Sequence, residues 1–260
     1  MTLRPRIIHC LLVSGGGLVK TVRFAEPTYV GDPVNAVRIY NEKRVDELIV
    51  LDIDATANGR SPDLELIANL AVECRMPLCY GGGVSTPEQV EAIVALGVEK
   101  VAIGSAIHRN PGLIARAWPR VGRQTLVAVL DVRRISPDRY EVFYQNGRVP
   151  SGIEVQELAR RCAGEGAGEL VISSIDRDGT MEGYDVHLAE RVRSVVDIPL
   201  TFIGGASSLQ DMRALFDRLG VIGAAAGSMF VFKGPRRAVL ITYPRPAEKA
   251  ALVGALARPA

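Results

Sequence analysis

GAGELVISSIDRDGTMEGYD, residues 166–185, holds an apolar run followed by a turn rich in carboxylates. ELVISSI, 169–175, is too short for a helix and rich in β-branched residues, so it reads as a strand buried on both faces. The turn repeats an earlier one: Asp176, Asp178 and Thr180 reproduce the D-x-D-x-T spacing of Asp52, Asp54 and Thr56 in LDIDAT, at an offset of 124 residues. YGGGV, with Gly82 and Gly83, returns as FIGGAS, with Gly204 and Gly205, at an offset of 122. AIGSA, with Gly104 and Ser105, returns as AAGSM, with Gly227 and Ser228, at 123. Three matches at nearly one offset point to a duplicated half.

Seven further runs resemble that strand: RIIHCLLV 6–13, DELIVLDI 46–53, PLCY 77–80, KVAIG 100–104, TLVAVLDV 125–132, LTFIG 200–204 and VIGAAAG 221–227. Between them, PDLELIANLAVEC 62–74, TPEQVEAIVAL 86–96, IEVQELARRCAG 153–164 and SLQDMRALFDRL 208–219 carry apolar residues at helical spacing. Thr86, followed by Pro87 and Gln89, reads as an N-cap with a first-turn proline. Alternating strands and helices imply a parallel sheet, and eight such units in about 250 residues predict an α/β protein with a (β/α)8 TIM barrel of duplicated halves. A Rossmann sheet is the rival, but the glycines do not follow its GxGxxG pattern. The expected organisation is one barrel domain over 1–260, with half-barrels at about 5–122 and 123–232. Residues 233–260 form an atypical C-terminal extension.

With 260 residues, 48% of them hydrophobic, the chain can bury a large core, and disorder is excluded. A net charge of +2 provides no global field for nucleic acid or membranes, so any affinity for phosphate must be local. MTLRPRIIHC lacks the apolar core of a signal peptide, and no run approaches the roughly 20 residues of a membrane span, so a cytoplasmic location is expected. Cys10, Cys74, Cys79 and Cys162 show no CxxC spacing and read as buried thiols. His9, alternating within strand 1, reads as a packed histidine. His108 and His187 stand alone, and neither a metal nor a cofactor is expected. No cysteine sits in a nucleophile motif, so the chain should not hydrolyse glutamine itself.

The C-terminal ends of barrel strands carry the chemistry. Gly83, Gly104 and Ser105 at strands 3 and 4, and Gly205, Gly227 and Ser228 at strands 7 and 8, would make two phosphate cradles facing each other across the mouth. Their alternative role is to permit tight strand-to-helix turns. Asp52, Asp176 and Asp178 also fall where strands run into loops. Asp52 and Asp176 either hold ligand hydroxyls or accept backbone N–H bonds. Asp131 ends the apolar strand TLVAVLDV, where desolvation should raise its pKa and suit it to act as the acid. The equivalent position at the end of strand 1 is Leu12. At the opposite strand ends, Arg6, Glu47, Lys100 and Glu169 would form a ring of two cations and two anions on the N-terminal face, where structural roles usually concentrate.

RIIHCLLV, GDPVNA at 31–36, DELIVLDI, YGGGV, LVAVLDV, GAGELVISSIDRDGTMEGYD and the closing GG and GS pairs resemble HisF, the cyclase subunit of imidazole glycerol phosphate synthase, from about residue 5 to about 232. The resemblance implies a barrel that takes ammonia from a HisH-type glutaminase docked at its N-terminal face. The ring of Arg6, Glu47, Lys100 and Glu169 would then gate an ammonia channel. The glycine and serine pairs would hold a bisphosphorylated ribonucleotide, and Lys20 would match the lysine of the mobile first loop. HisF cyclases end both strand 1 and strand 5 with aspartate. Asp131 matches the second, but Leu12 stands at the first, and losing a general base costs roughly 10²–10⁴-fold in rate. Two further departures are Asp54, where HisF normally has threonine, and RRAVLITYP, which reads as extended chain where the last helix is expected. AEKAALVGALA then reads as an added terminal helix.

These departures resemble the HisF-like branch of surface-polysaccharide gene sets, whose members supply ammonia to an ATP-using sugar amidotransferase that converts an acetamido group on a nucleotide-linked sugar to an acetamidino group. An active cyclase of histidine biosynthesis, a HisA-like isomerase and a non-catalytic phosphate-binding activator of the glutaminase are the alternatives.

Overall fold

A computed structural model describes residues 4–234 and 236–254. Eight strands form the barrel: β1 Arg6–Ser14, β2 Glu47–Asp52, β3 Leu78–Gly81, β4 Lys100–Ile103, β5 Leu126–Ser136, β6 Glu169–Ser174, β7 Leu200–Ile203 and β8 Gly223–Ala226. Each pairs in parallel with the next, and β8 pairs with β1, with Arg6 opposite Gly223, so the sheet closes. The expected (β/α)8 barrel is the observed one.

Strand alternation divides the core in two. From β1, Ile7, Leu11 and Val13 face the helices and join the large outer core, while Ile8 and Cys10 face the barrel axis. The axis is filled by Ile8, Cys10, Ile49, Cys79, Ala102, Val127, Val171 and Ala225. Burial on both faces explains why these strands read as continuous apolar runs. Seven helices cover the outside: α1 Pro33–Glu42, α2 Leu64–Glu73, α3 Pro87–Ala95, α4 Leu113–Val121, α5 Val155–Glu165, α6 Val186–Arg193 and α7 Leu209–Leu219. Thr86 and Gln89 form the predicted capping box of α3, and Ser208 and Asp211 form another on α7. Side chains of Asp32, Asp63 and Asp185 cap α1, α2 and α6.

The two halves share an elaboration that the sequence pattern does not reveal. After β1 the chain rises into an antiparallel pair, Gly17–Val22 with Ala25–Gly31, and after β5 into another, Arg139–Tyr144 with Val149–Glu154. Leu12 pairs with Val19, and Asp131 pairs with Phe143, so the two residues occupy the same place in each half. β5 itself runs to Ser136, beyond the expected end at 132. After β8, a short helical turn at Ser228–Val231 leads to Phe232–Lys233, which pairs with Ala238–Val239 before the chain runs extended to the terminal helix α8, Pro246–Gly254. The extended reading of RRAVLITYP agrees with this. The last residues of the expected extension and terminal helix, 255–260, lie outside the described residues. No described helix is long and apolar enough to cross a membrane.

Candidate functional site

One cavity opens at the C-terminal end of the barrel, with Leu12 and Asp131 both on its wall. Each continues the inward-facing row of its strand, above Cys10 on β1 and above Val129 on β5. Asp131 is enclosed by protein and open only to the cavity. Burial, reinforced by the charge of Asp178, pushes its carboxyl up to about 7. Leu12 brings no proton donor or acceptor to the other side.

The hairpin after β1 folds over this cavity and is fastened to the turn after β6. The Thr21 hydroxyl donates to the Asp178 carboxylate at 2.7 Å, the Phe24 amide donates to the same oxygen at 3.0 Å, and the Arg23 amide donates to the Asp178 carbonyl at 2.9 Å. Gly179 has φ +67°, and a Cβ there would meet the Thr21 carbonyl oxygen at 2.0 Å, so only glycine lets the two loops touch. Asp178 therefore serves as the lid's anchor; burial raises its pKa despite the bonds it accepts. Lys20, buried under the lid, donates to the Cys10 carbonyl at 2.6 Å. Its Nζ lies 2.8 Å from where a Cβ on Gly227 would stand. Burial lowers its pKa, partly offset by Asp178.

All six cradle residues, Gly83, Gly104, Ser105, Gly205, Gly227 and Ser228, line the cavity. A side chain at Gly83 would strike the Arg60 carbonyl, and one at Gly205 the Gly183 carbonyl, so these two glycines are required by loop packing whatever binds. Gly104 has nothing within 3.4 Å of its missing Cβ and keeps space open toward the cavity, whereas a Cβ on Gly227 would meet the flexible end of Lys20 at 2.8 Å and the Cys10 carbonyl oxygen at 3.3 Å. The hairpin after β5 reaches the β4 side: the Gln145 amide donates to the Ser105 hydroxyl at 3.0 Å, and the Asn146 side-chain amide donates to the Ile53 carbonyl. Residues 145–147 all have positive φ, which makes this the sharp tip of the hairpin.

The remaining carboxylates divide differently. Asp52 lines the cavity, but its Oδ1 accepts the Asp54 and Ala55 amides and its Oδ2 lies 3.6 Å from Arg60. Asp54 accepts from the Ser14 hydroxyl at 2.8 Å and the Gly15 amide at 2.9 Å, tying the base of the lid to β2. Asp176 is absent from the cavity wall; it accepts the Arg134 amide at 2.8 Å, because the D-x-D spacing turns the first carboxylate toward β5 and the second toward the lid. Thr21, Phe24 and Asn146 went unseen in the sequence, since only loops distant in sequence bring them to the site. His9 is fully buried between Tyr40 and Phe230, as a packed histidine should be. Cys10, Cys79 and Cys162 are buried free thiols, but Cys74 is only half-buried, at the end of α2, where its Sγ donates to the Met76 carbonyl.

At the opposite end of the barrel the four charged strand-start residues close a ring. Arg6 bonds Glu47 and, at 2.6 Å, Glu169; Lys100 bonds Glu47 at 2.6 Å and Glu169 at 2.9 Å. Thr201 adds a hydroxyl donor to Glu169 at 2.6 Å. Burial opposes the charge on Glu169, but Arg6, Lys100 and Thr201 overcome it and hold the carboxyl at about 2. Between ring and cavity the axis is packed with the aliphatic side chains of Ile8, Ile49, Ala102, Val127, Val171 and Ala225 and the thiols of Cys10 and Cys79. Burial holds Cys79 well above the ordinary thiol range. A neutral molecule would meet no charge there; an ion would lose its hydration without compensation.

The model of the family described as histidine biosynthesis protein matches residues 6–235. A Leptospira interrogans protein provisionally named imidazole glycerol phosphate synthase subunit HisF is 49% identical over 251 residues, 96% of this chain and 99% of its own. A Vibrio vulnificus protein, also provisionally named as such a HisF subunit, is 49% identical over 248 residues, 95% of each chain. The imidazole glycerol phosphate synthase subunit HisF of Helicobacter hepaticus is 38% identical over 243 residues, 94% of this chain and 96% of its own.

Proposed function

Because this chain belongs to the HisF family of histidine biosynthesis proteins, we propose that it is the ammonia-delivering subunit of a glutamine amidotransferase, supplied by a HisH-type glutaminase docked at the N-terminal barrel face. The acceptor we assign is an acetamido group on a nucleotide-linked sugar, converted to an acetamidino group by an ATP-using sugar amidotransferase in surface-polysaccharide synthesis. The observation that carries this reading is Leu12 on the cavity wall opposite an intact N-terminal ring. A cyclase needs a second acid–base group where Leu12 stands, whereas delivery needs only the ring, the axis and a mouth.

In this mechanism the ring of Arg6, Glu47, Lys100 and Glu169 is the gate. Glu169 stays ionised at neutral pH, so the ring is held by charge-assisted bonds until docking of the glutaminase shifts one partner. The aliphatic axis favours ammonia over ammonium, because only the neutral form crosses it without a desolvation penalty. Lys20, Gly104, Ser105, Gly205, Gly227 and Ser228 would hold a phosphorylated small molecule that reports an occupied mouth.

The test is to incubate the purified protein with the bisphosphorylated ribonucleotide substrate of imidazole glycerol phosphate synthase and ammonium salt at high pH. No imidazole glycerol phosphate is expected; clear production would sink the delivery reading. That outcome would favour the second reading, an active cyclase, which the retained Asp131 with its raised pKa supports. A non-catalytic activator of the glutaminase is separated from both by following amide nitrogen from glutamine into an acceptor product.

A further inference from the structure

The delivery route leaves the segment after the strand-8 cradle without a role. From Ser228–Val231 the chain turns through the short pair of Phe232–Lys233 with Ala238–Val239 and runs back along the outside of the barrel. The Leu240 amide donates to the Val231 carbonyl and the Thr242 amide to the Phe230 carbonyl, both at 2.8 Å, so this strap is bonded to the helical turn that begins at Ser228. The next residue is Tyr243, whose ring packs 5.2 Å from that of Phe230. Its hydroxyl donates to the Ile7 carbonyl at 2.8 Å and accepts the Asp46 amide at 3.2 Å.

Those two partners decide what the hydroxyl does. Ile7 follows Arg6 and Asp46 precedes Glu47, so each is one residue from a member of the ring. The β1–β2 ladder begins only at Ile8 opposite Glu47. Before that pair, the phenol oxygen is what joins the two strand ends. Lys249 on α8 lies beside this junction: its ammonium donates to the Asp46 carboxylate and to the Arg44 carbonyl, and lies 5.2 Å from the Tyr243 ring centroid. The bond of Arg6 to Glu47 spans these same two strands, so the register of their ends sets how well the guanidinium and carboxylate align.

We propose that Tyr243 is a positioning residue for the N-terminal ring: its hydroxyl splices the ends of β1 and β2 so that Arg6 and Glu47 meet. The consequence for ammonia delivery rests on the proposed function; the positioning itself does not. The strap also makes a bonded connection between the helical turn at Ser228 and the ring at the other end of the barrel.

The test compares Tyr243→Phe, which keeps the ring packing and removes only the hydroxyl, with Leu252→Ala, which loosens α8 through a buried apolar side chain and leaves the hydroxyl in place. Proton exchange of the Arg6 guanidinium and Lys100 ammonium groups, followed by ¹⁵N NMR on the full chain, reads the ring directly. Tyr243→Phe should accelerate that exchange about five- to tenfold, the effect of losing one hydrogen-bonded link. Leu252→Ala should lower the unfolding temperature and leave the exchange at the wild-type rate. Unchanged exchange in Tyr243→Phe, or equal acceleration in Leu252→Ala, would overturn the proposal. The delivery reading is tested apart, with Glu169→Gln in the complex reconstituted with its glutaminase and acceptor enzyme. Amide-¹⁵N glutamine is supplied against excess unlabelled ammonium, and a wild-type ¹⁵N fraction in the acetamidino product would reject delivery through the ring. The exchange measurement would still decide the role of Tyr243.

Discussion

Replacing Asp131 by asparagine should make the protein more stable at pH 8, although it removes the carboxyl at the end of β5 from the mouth. Burial, with the nearby charge of Asp178, places the Asp131 carboxyl at about 7 in the folded chain, against about 3.9 when unfolded. Between those values the folded protein keeps a proton that the unfolded chain has released, so stability falls as pH rises through the window and levels off above it. A fully desolvated carboxylate with these two values would cost roughly 4 kcal/mol at pH 8. Asp131 opens on the cavity, where solvent screening reduces the penalty, so about half of that, roughly 2 kcal/mol, is expected. Urea unfolding of wild type and Asp131→Asn, followed by circular dichroism from pH 4 to pH 8, measures the difference. Carboxyl ¹³C NMR of the wild type gives the midpoint independently. The two proteins should be nearly equally stable at pH 4, and the variant should pull ahead as pH rises. A gap that does not grow with pH, or a carboxyl midpoint below 5, would refute the desolvation argument.

Glu169→Gln should cost about 3–5 kcal/mol at pH 7 by leaving Arg6 and Lys100 without a full partner; in the wild type this contribution is present above the unfolded value of about 4.3 and is lost as pH falls toward 2, which acid unfolding would follow. Gly227→Ala should displace Lys20 and press lightly on the Cys10 carbonyl, weakening the binding of a bisphosphate probe by roughly tenfold or more while leaving the unfolding temperature within a few degrees; calorimetric titration and a thermal melt check the two halves. Leu12→Asp should restore a second carboxylate to the cavity and raise any ammonia-dependent cyclisation by about 10² or more, read as imidazole glycerol phosphate formed.

The barrel was legible because its strands are buried on both faces and its turns repeat at one offset. ELVISSI and TLVAVLDV could hardly be anything but central strands. The ring was legible for a related reason: a charged residue immediately before an apolar strand in a closed parallel sheet points at the axis, so Arg6, Glu47, Lys100 and Glu169 had to converge. The cradle positions followed from the repeat. Helix α4 was hidden by Pro119 near its end and α6 by its charged surface, both of which weaken a periodic signal. The lid was hidden because its two strands differ in character, GLVKTV largely buried and AEPTYVG largely exposed, and their docking depends on Thr21 meeting Asp178 across 157 residues of chain. No local pattern encodes such a contact. Nor did sequence spacing separate Asp176 from Asp178, two residues apart yet turned to different neighbours.

Leu12 changes the chemistry of the mouth as well as removing a group from it. With a second carboxylate beside it, Asp131 would share a polar, water-holding cleft, and one of the pair would be ionised at neutral pH. Opposite leucine it has no carboxylate partner at the end of β1 and, with Asp178 nearby, is close to half-protonated at neutral pH. An anionic pair would draw ammonium and its water to the end of the axis. With one anionic charge fewer there, ammonium is stabilised less at the mouth, so arriving ammonia stays neutral and nucleophilic more often. On the delivery reading, then, the substitution at strand 1 extends the apolar character of the axis by one more layer, from Ile8 and Cys10 to Leu12. Restoring aspartate there should accordingly reduce transfer to an external acceptor even as it restores cyclisation, so that the two activities move in opposite directions in a single variant.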